Sequence, residues 1–283
     1  MNASNALVLA MALTVAASAA AQAPNPPAPA GGAPQGQGGG CGGPQGPPPT
    51  AREAAPIDLA GQWVSVVSED WRWRMVTPQK GDYASVPLNA EGRRVADSWD
   101  LARDGAAGES CRPFGAPALM RLPIRVRISW QDPATLKIES DAGQQIRLLR
   151  FATPGAPLVA AAQSGAERTW QGRSIAEWNK QAVSRGLGFG GGRGVAGGNL
   201  KVTTTELRPG YLRKNGVPYS ENTVLTEYFN RHDEPNGDVW FTVTTIVDDP
   251  RYLNQSFITT SSFKRETDTS KWDPSPCQTD PPR

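Results

Sequence analysis

From residue 124 onward, apolar and polar positions exchange places with a period of two. Ile124, Val126, Ile128 and Trp130 stand against Arg125, Arg127, Ser129 and Gln131. One apolar face at that spacing predicts a half-buried strand. Asp132-Pro133 turns the chain, Leu136 and Ile138 carry the pattern over 135–140, and Asp141-Ala142-Gly143 turns it again into 144–151. These three segments read as a meander. Further strands are predicted near 174–178, 200–207, 223–231, 238–248 and 256–265, and Gly61-Gln62-Trp63 opens an extended run to Asp70.

Asn236-Gly237 is a hairpin signal, because the pair readily supplies the positive φ values of a tight turn. In the strand that follows, Val239, Phe241, Val243 and Val247 share one face and Trp240, Thr242, Thr244 and Ile246 the other. Two partly apolar faces suit a sheet that closes around an interior. Helical periodicity is confined to 89–102, with Asn89 as N-cap, and to 176–185. The expectation is an all-β chain, an antiparallel barrel with one or two short helices; a β-sandwich is the alternative.

The N-terminal part follows other rules. Residues 6–21 form an apolar run ending in small residues, with Ala19-Ala20-Ala21 as an A-x-A cleavage site. This reads as a secretory signal peptide over 1–21, too short to span a membrane, and places the mature chain in the periplasm or outside the cell. Residues 22–56 are Pro, Gly, Ala and Gln with almost no charge, a composition that cannot offset its ordering entropy and reads as a disordered linker. The single folded domain is then 57–283. The net charge of +2 comes from interspersed residues, so neither nucleic acid nor a membrane surface is expected as a partner. In an oxidising compartment Cys111 and Cys277 can pair and pin the tail, or remain as thiols. With three cysteines and one histidine, His232 beside a turn, neither a metal site nor a cofactor is expected. Gly186-Leu187-Gly188-Phe189-Gly190-Gly191 matches a dinucleotide fingerprint in spelling alone and reads as a loop over 186–198, with the character of a lid.

Two constellations carry candidate chemistry. In 69–89, Asp70, Trp71, Arg72, Trp73 and Arg74 set aromatics beside fixed cations. On a strand, Trp71 and Trp73 would share one face and Asp70, Arg72 and Arg74 the other. Flat rings and guanidinium forks make a ligand clamp, completed by Lys80, Asp82 and Tyr83; the competing reading is a salt-bridge ladder over a tryptophan core. In 208–228, Tyr211, Arg213, Tyr219, Ser220 and Glu221 crowd a loop shaped by Pro209-Gly210 and Asn215-Gly216, and Glu227 follows in an apolar row with Leu225 and Phe229. Tyr211, Tyr219, Glu221 and Glu227 are the candidate acid–base groups. Glu227 is either paired with an arginine or raised in pKa. Arg121 is a further candidate for the ligand space.

The entry Gly61-x-Trp63, followed by this run of strands, resembles the lipocalins (calycins). DWRWRMVTPQKGDYASVPLN, TWQGRSIAEW, PGYLRKNGVPYSENTVLTEY and DDPRYL together resemble an exported bacterial family of lipocalin-like β-barrels. The resemblance implies a barrel over about 57–277 and export, and supplies no reaction. Three functions follow as expectations. The first is a cofactor-free binder of a small aromatic or amphipathic molecule bearing an anionic or oxygen-bearing group. The second is a lyase, isomerase or hydratase on the same barrel, and the third an envelope interaction protein without a pocket. Convergence of Glu227, Tyr219 and Arg72 on one cavity would favour the first two; side chains pointing to separate surfaces would sink both.

Overall fold

The computed structural model describes residues 46–152, 167–180 and 197–283. The expected leader over 1–21, residues 22–45 of the expected linker with Cys41, and residues 186–196 of the glycine-rich loop lie outside the described residues. The strands are β1 (Gly61–Val66), β2 (Arg125–Asp132), β3 (Thr135–Ser140), β4 (Ile146–Phe151), β5 (Arg173–Lys180), β6 (Gly198–Thr205), β7 (Gly210–Arg213), β8 (Val217–Tyr219), β9 (Val224–Asp233), β10 (Val239–Asp248) and β11 (Phe257–Arg265).

Nine of these strands close into a barrel in the order β1-β11-β10-β9-β6-β5-β4-β3-β2, while β7 and β8 form a separate hairpin. Closure decides for the barrel over the sandwich. Neighbours are antiparallel except β4 and β5, which run parallel. Nine strands cannot alternate direction all the way round a ring, so one neighbouring pair has to agree. The expected helix over 176–185 is corrected: its first residues belong to β5, where Ser174 and Ala176 point inward and β4 and β6 supply the backbone partners. Residues 181–185 lie outside the described residues.

The barrel interior is filled by side chains. Trp63, Phe229, Phe241 and Phe263 are fully buried; Trp63 meets Phe241 edge-on at 4.9 Å, and Phe241 stacks on Phe263 at 4.7 Å. The Trp63 indole donates to the Leu59 carbonyl at 2.9 Å, so a buried polar atom is satisfied. Two apolar clusters result. One is centred on these aromatics; the other includes Leu225, Val247, Phe257 and Tyr219. Arg147, Ser174, Thr204 and Glu227 separate them, one residue from each of β4, β5, β6 and β9.

The two ends differ. At the hairpin end, marked by the β2–β3 and β9–β10 turns, residues 50–58 lie over the strands: Trp178 donates to the Ala51 carbonyl at 2.7 Å, and the Arg52 amide to Pro133 at 3.1 Å. Residues 46–56, read from composition as linker, thus lie in the compact unit that runs from Gly46 to Arg283. At the cap end, the connections between strands build a lid of polypeptide. It contains α1 (Trp71–Arg74), α2 (Ala90–Asp97), α3 (Leu101–Ala106), α4 (Ala116–Leu119) and the β7–β8 hairpin.

Asn89 caps α2 as expected, its side chain accepting from the Gly92 amide at 2.8 Å. The helix expected over 89–102 is two helices, because Asp100 is extended and caps α3 by accepting from the amides of Ala102 and Arg103. After β11 the tail runs outside β1 and β2 toward the cap. The Glu266 amide donates to Gln62, the Arg127 guanidinium lies 4.2 Å over Trp272, and Cys277 is joined to Cys111 with their Cα atoms 5.1 Å apart. Among the described residues, no helix is long and apolar enough to cross a membrane.

Candidate functional site

The 69–83 segment is not a strand. Asp70 takes a left-handed conformation, φ 51°, and starts the single helical turn α1. A helical turn spreads side chains by about 100° per residue, so Trp71 and Trp73 part company: Trp71 is 65 % exposed and Trp73 turns inward. The Trp73 indole donates to Asp82 at 3.1 Å, and Arg72 pairs with the other oxygen of that carboxylate at 2.5 Å. Burial alone would raise the Asp82 pKa, but the hydrogen bonds from Trp73 and Arg72 together hold it below the usual carboxylate range. Arg74 is buried, pairs with Glu69, and donates to the Arg121 carbonyl at 2.7 Å. Arg121 reaches Asp70 at 3.0 Å. The guanidinium groups of Arg213 and Arg72 lie 4.9 and 5.2 Å from the Trp73 ring centroid. Thus Asp70, Arg72, Trp73, Arg74, Asp82, Arg121 and Arg213 come together, although the strand geometry predicted for them does not form. Lys80 borders a cleft of about 360 Å³ beside Arg72 and Asp82.

Within 208–221, β7 and β8 over 210–219 form a largely buried hairpin, not a loop at a barrel mouth, while Arg208, Pro209 and Glu221 stay at the surface. Gly216 at the turn has φ 82°, and a Cβ there would fall 2.3 Å from Trp99. Only glycine permits both the turn and this approach. The Asn215 side chain donates to the carbonyls of Gln79 and Asp82, each at 3.0 Å, which ties the hairpin to the tryptophan–arginine cluster. Tyr219 is completely buried, its ring end lying against Gly115 and Gly210, and burial pushes its pKa up. Tyr83 is buried and donates to Asp97 at 2.9 Å; burial and that carboxylate push its hydroxyl to about 12.

The remaining candidates are dispersed. Ser220 binds Asp249, which also holds Thr223 and so shapes the approach to β9. Glu221 pairs with Arg251 at 3.1 Å on the surface. Glu227 lies inside the barrel, paired with Arg147. Glu227, Tyr219 and Arg72 therefore do not surround one cavity, which overturns both the binder and the acid–base enzyme in the form expected of those residues. The reason is topological: the first points into the lumen, the second into the packed cap, and the third to solvent.

Among the described residues, Tyr211 is the candidate acid–base group found at the wall of the cap pocket. Its hydroxyl donates to Asp104 at 2.8 Å and accepts from Arg112 at 3.0 Å. Burial first, and then the Asp104 carboxylate, push its pKa to about 12. A tyrosine held there keeps its proton at neutral pH and serves as a donor, not a base. The pocket is about 240 Å³, walled by Trp99, Leu101, Asp104, Tyr211, Lys214 and the tail at Cys277–Thr279. Lys214 is half-buried, and burial lowers its pKa while Asp280 pushes the other way. Asp104 and Trp99 carry no functional signal in the sequence around them. Lys214 lay within the aromatic and basic loop, but Asp104 meets Tyr211 across 107 residues of chain and left no local mark. A wider cleft of about 500 Å³ lies at the hairpin end between the 52–60 segment and Trp130, where Arg231 is already paired with Asp233.

Comparison with protein-family models, with curated proteins and with solved structures finds no match. The geometry itself defines the class: an all-β, lipocalin-like closed barrel with a filled lumen and polar pockets at both ends.

Proposed function

We propose that the chain is an exported small-molecule-binding protein whose ligand enters the cap pocket and not the lumen. The observation that carries this reading is the Tyr211–Asp104 pair at the wall of a cap pocket of mixed polar and apolar lining, beside the half-buried amine of Lys214. Trp99, Leu101 and Pro113 supply apolar wall to this pocket, and Tyr211, Asp104 and Lys214 the polar groups that could orient a ligand. The volume suits a single-ring molecule. Trp99 offers a flat face for stacking, and Lys214 a cation for a carboxylate or other oxygen. The Cys111–Cys277 bond and the secretory character of 1–21 support export.

A binder is favoured over the acid–base enzyme because Tyr211 holds its proton and Glu221 and Glu227 are each engaged by an arginine. The test is a thermal-shift and calorimetric titration with monocyclic aromatic acids, using benzoate as the first probe. Binding that is lost in Lys214→Met and weakened in Trp99→Ala is the expected result. If no member of such a panel binds, or if Lys214→Met binds equally well, the reading fails.

A further inference from the structure

The tryptophan–arginine cluster has one charge too many. It contains four guanidinium groups, from Arg72, Arg74, Arg121 and Arg213, and three carboxylates, from Glu69, Asp70 and Asp82. Each carboxylate is taken: Asp82 by Arg72, Glu69 by Arg74 and Asp70 by Arg121. The cation left over is Arg213, and it is a buried one, 4 % exposed. None of its three guanidinium nitrogens has a hydrogen-bond partner among the described residues. The charges that act on it are Arg121, which opposes it, and Asp70 and Asp82, which are already engaged. Burial, and then Arg121, pull its pKa down to about 10, which leaves it charged at neutral pH. Stacking on Trp73 at 4.9 Å offsets only part of the desolvation of an unpaired guanidinium.

We propose that Arg213, stacked on Trp73 and flanked by Arg121, is an internal binding site for a small monoanion of carboxylate size. The guanidinium fork matches a carboxylate in bidentate fashion, and one negative charge brings the cluster to neutrality. The 360 Å³ cleft on the Arg72–Asp82 side, lined also by Lys80 and Arg283, does not itself reach Arg213, so entry from there requires the Arg72–Asp82 pair to part. The site is separate from the cap pocket and stands whether or not an aromatic acid binds there.

The test compares sodium formate with sodium gluconate at equal ionic strength, the second being a carboxylate too large for an enclosed site. Formate should raise the melting temperature of the full chain saturably, by roughly 3 °C over gluconate. Arg213→Met should abolish that difference and, having lost an unpaired buried charge, should melt no lower than the parent protein in gluconate. Asp82→Asn removes one carboxylate and should lower the formate half-saturation roughly fivefold. The proposal is overturned if formate and gluconate act alike on the parent chain, or if Arg213→Met keeps the formate response. Should Arg213→Met fail to fold, Asp82→Asn decides: an unchanged half-saturation overturns the site.

Discussion

Arg147 and Glu227 face each other inside the barrel, neither with any solvent exposure, joined by hydrogen bonds of 2.7 and 3.1 Å. They stand on β4 and β9, with β5 and β6 between them in the wall. Ser174 and Thr204 from those strands complete the arrangement: Thr204 accepts from Arg147 at 3.2 Å and is bonded to Ser174 at 2.7 Å. A polar layer therefore crosses a lumen that is apolar on both sides of it. The pair answers the question posed by Glu227 in its apolar row, since the carboxylate is bound to an arginine.

Breaking this pair should be expensive. Glu227→Gln leaves the guanidinium buried without its counter-charge and should cost about 3–5 kcal/mol, read as a lower urea midpoint. Replacing both residues with methionine should recover most of the loss. A Glu227→Gln protein as stable as its parent would show that the lumen admits water at this level.

The tail depends on its covalent anchor. Cys111→Ser should lower stability by about 2–5 kcal/mol and remove the Cys277–Thr279 wall of the cap pocket, so that benzoate binding weakens together with stability. Mass spectrometry after alkylation without reductant should find neither Cys111 nor Cys277 modified in the parent chain. Modification of both would refute the bond.

Alkaline stability follows from the tyrosines. Tyr83 and Tyr211 titrate at about 12 in the folded chain against about 10 when unfolded. A raised folded value means that the stabilising contribution is whole below pH 10 and is lost as pH rises toward 12. Tyr219 and Tyr252 are raised as well, so four of the five tyrosines should ionise late and together with unfolding. Stepwise appearance of tyrosinate absorbance near pH 10, with the fold intact, would contradict this.

Tyr211→Phe removes the donor to Asp104 and leaves that buried carboxylate to Arg112. A loss of about 1–3 kcal/mol is expected on thermal denaturation. If the cap pocket binds its ligand through this pair, benzoate affinity changes in the same variant. A ligand that binds unchanged in Tyr211→Phe makes no use of the tyrosine hydroxyl or of the carboxylate it holds.

The strands were legible because each carries its own evidence. The alternation in β2 and β10 depends on nothing distant; in β2 the predicted apolar row is the inward one, and in β10, where both faces read as partly apolar, the buried row is that of Phe241, Val243 and Val247. The site was legible only in composition. Trp71 and Trp73 were placed on one face because a strand was assumed, and the left-handed Asp70 that converts the segment to a helical turn has no signature in its neighbours. The turn signals Pro209-Gly210 and Asn215-Gly216 do bracket the tyrosine–arginine hairpin. Its burial depends on Trp99, Gly115 and the 79–82 loop, which reach it from far away in sequence. The partner of Glu227 lies 80 residues upstream, beyond the reach of any periodicity.

An odd number of strands also has a consequence for the order of folding. The two runs β2–β4 and β9–β11 are joined by short connections and can form locally, and β9 meets β10 through ten register pairs. The ring closes at seams between strands distant in sequence, among them β1 with β11, β1 with β2 and β4 with β5, and the last has only three register pairs. Trp63 must find Arg265 across nearly the whole chain. Loop-closure entropy delays such contacts, so the seams should be the last backbone bonds to form and the first to exchange their amide protons. The cap residues that carry Arg213 and Tyr211 lie between those seams in sequence, which makes ligand pockets in this protein a product of completed closure.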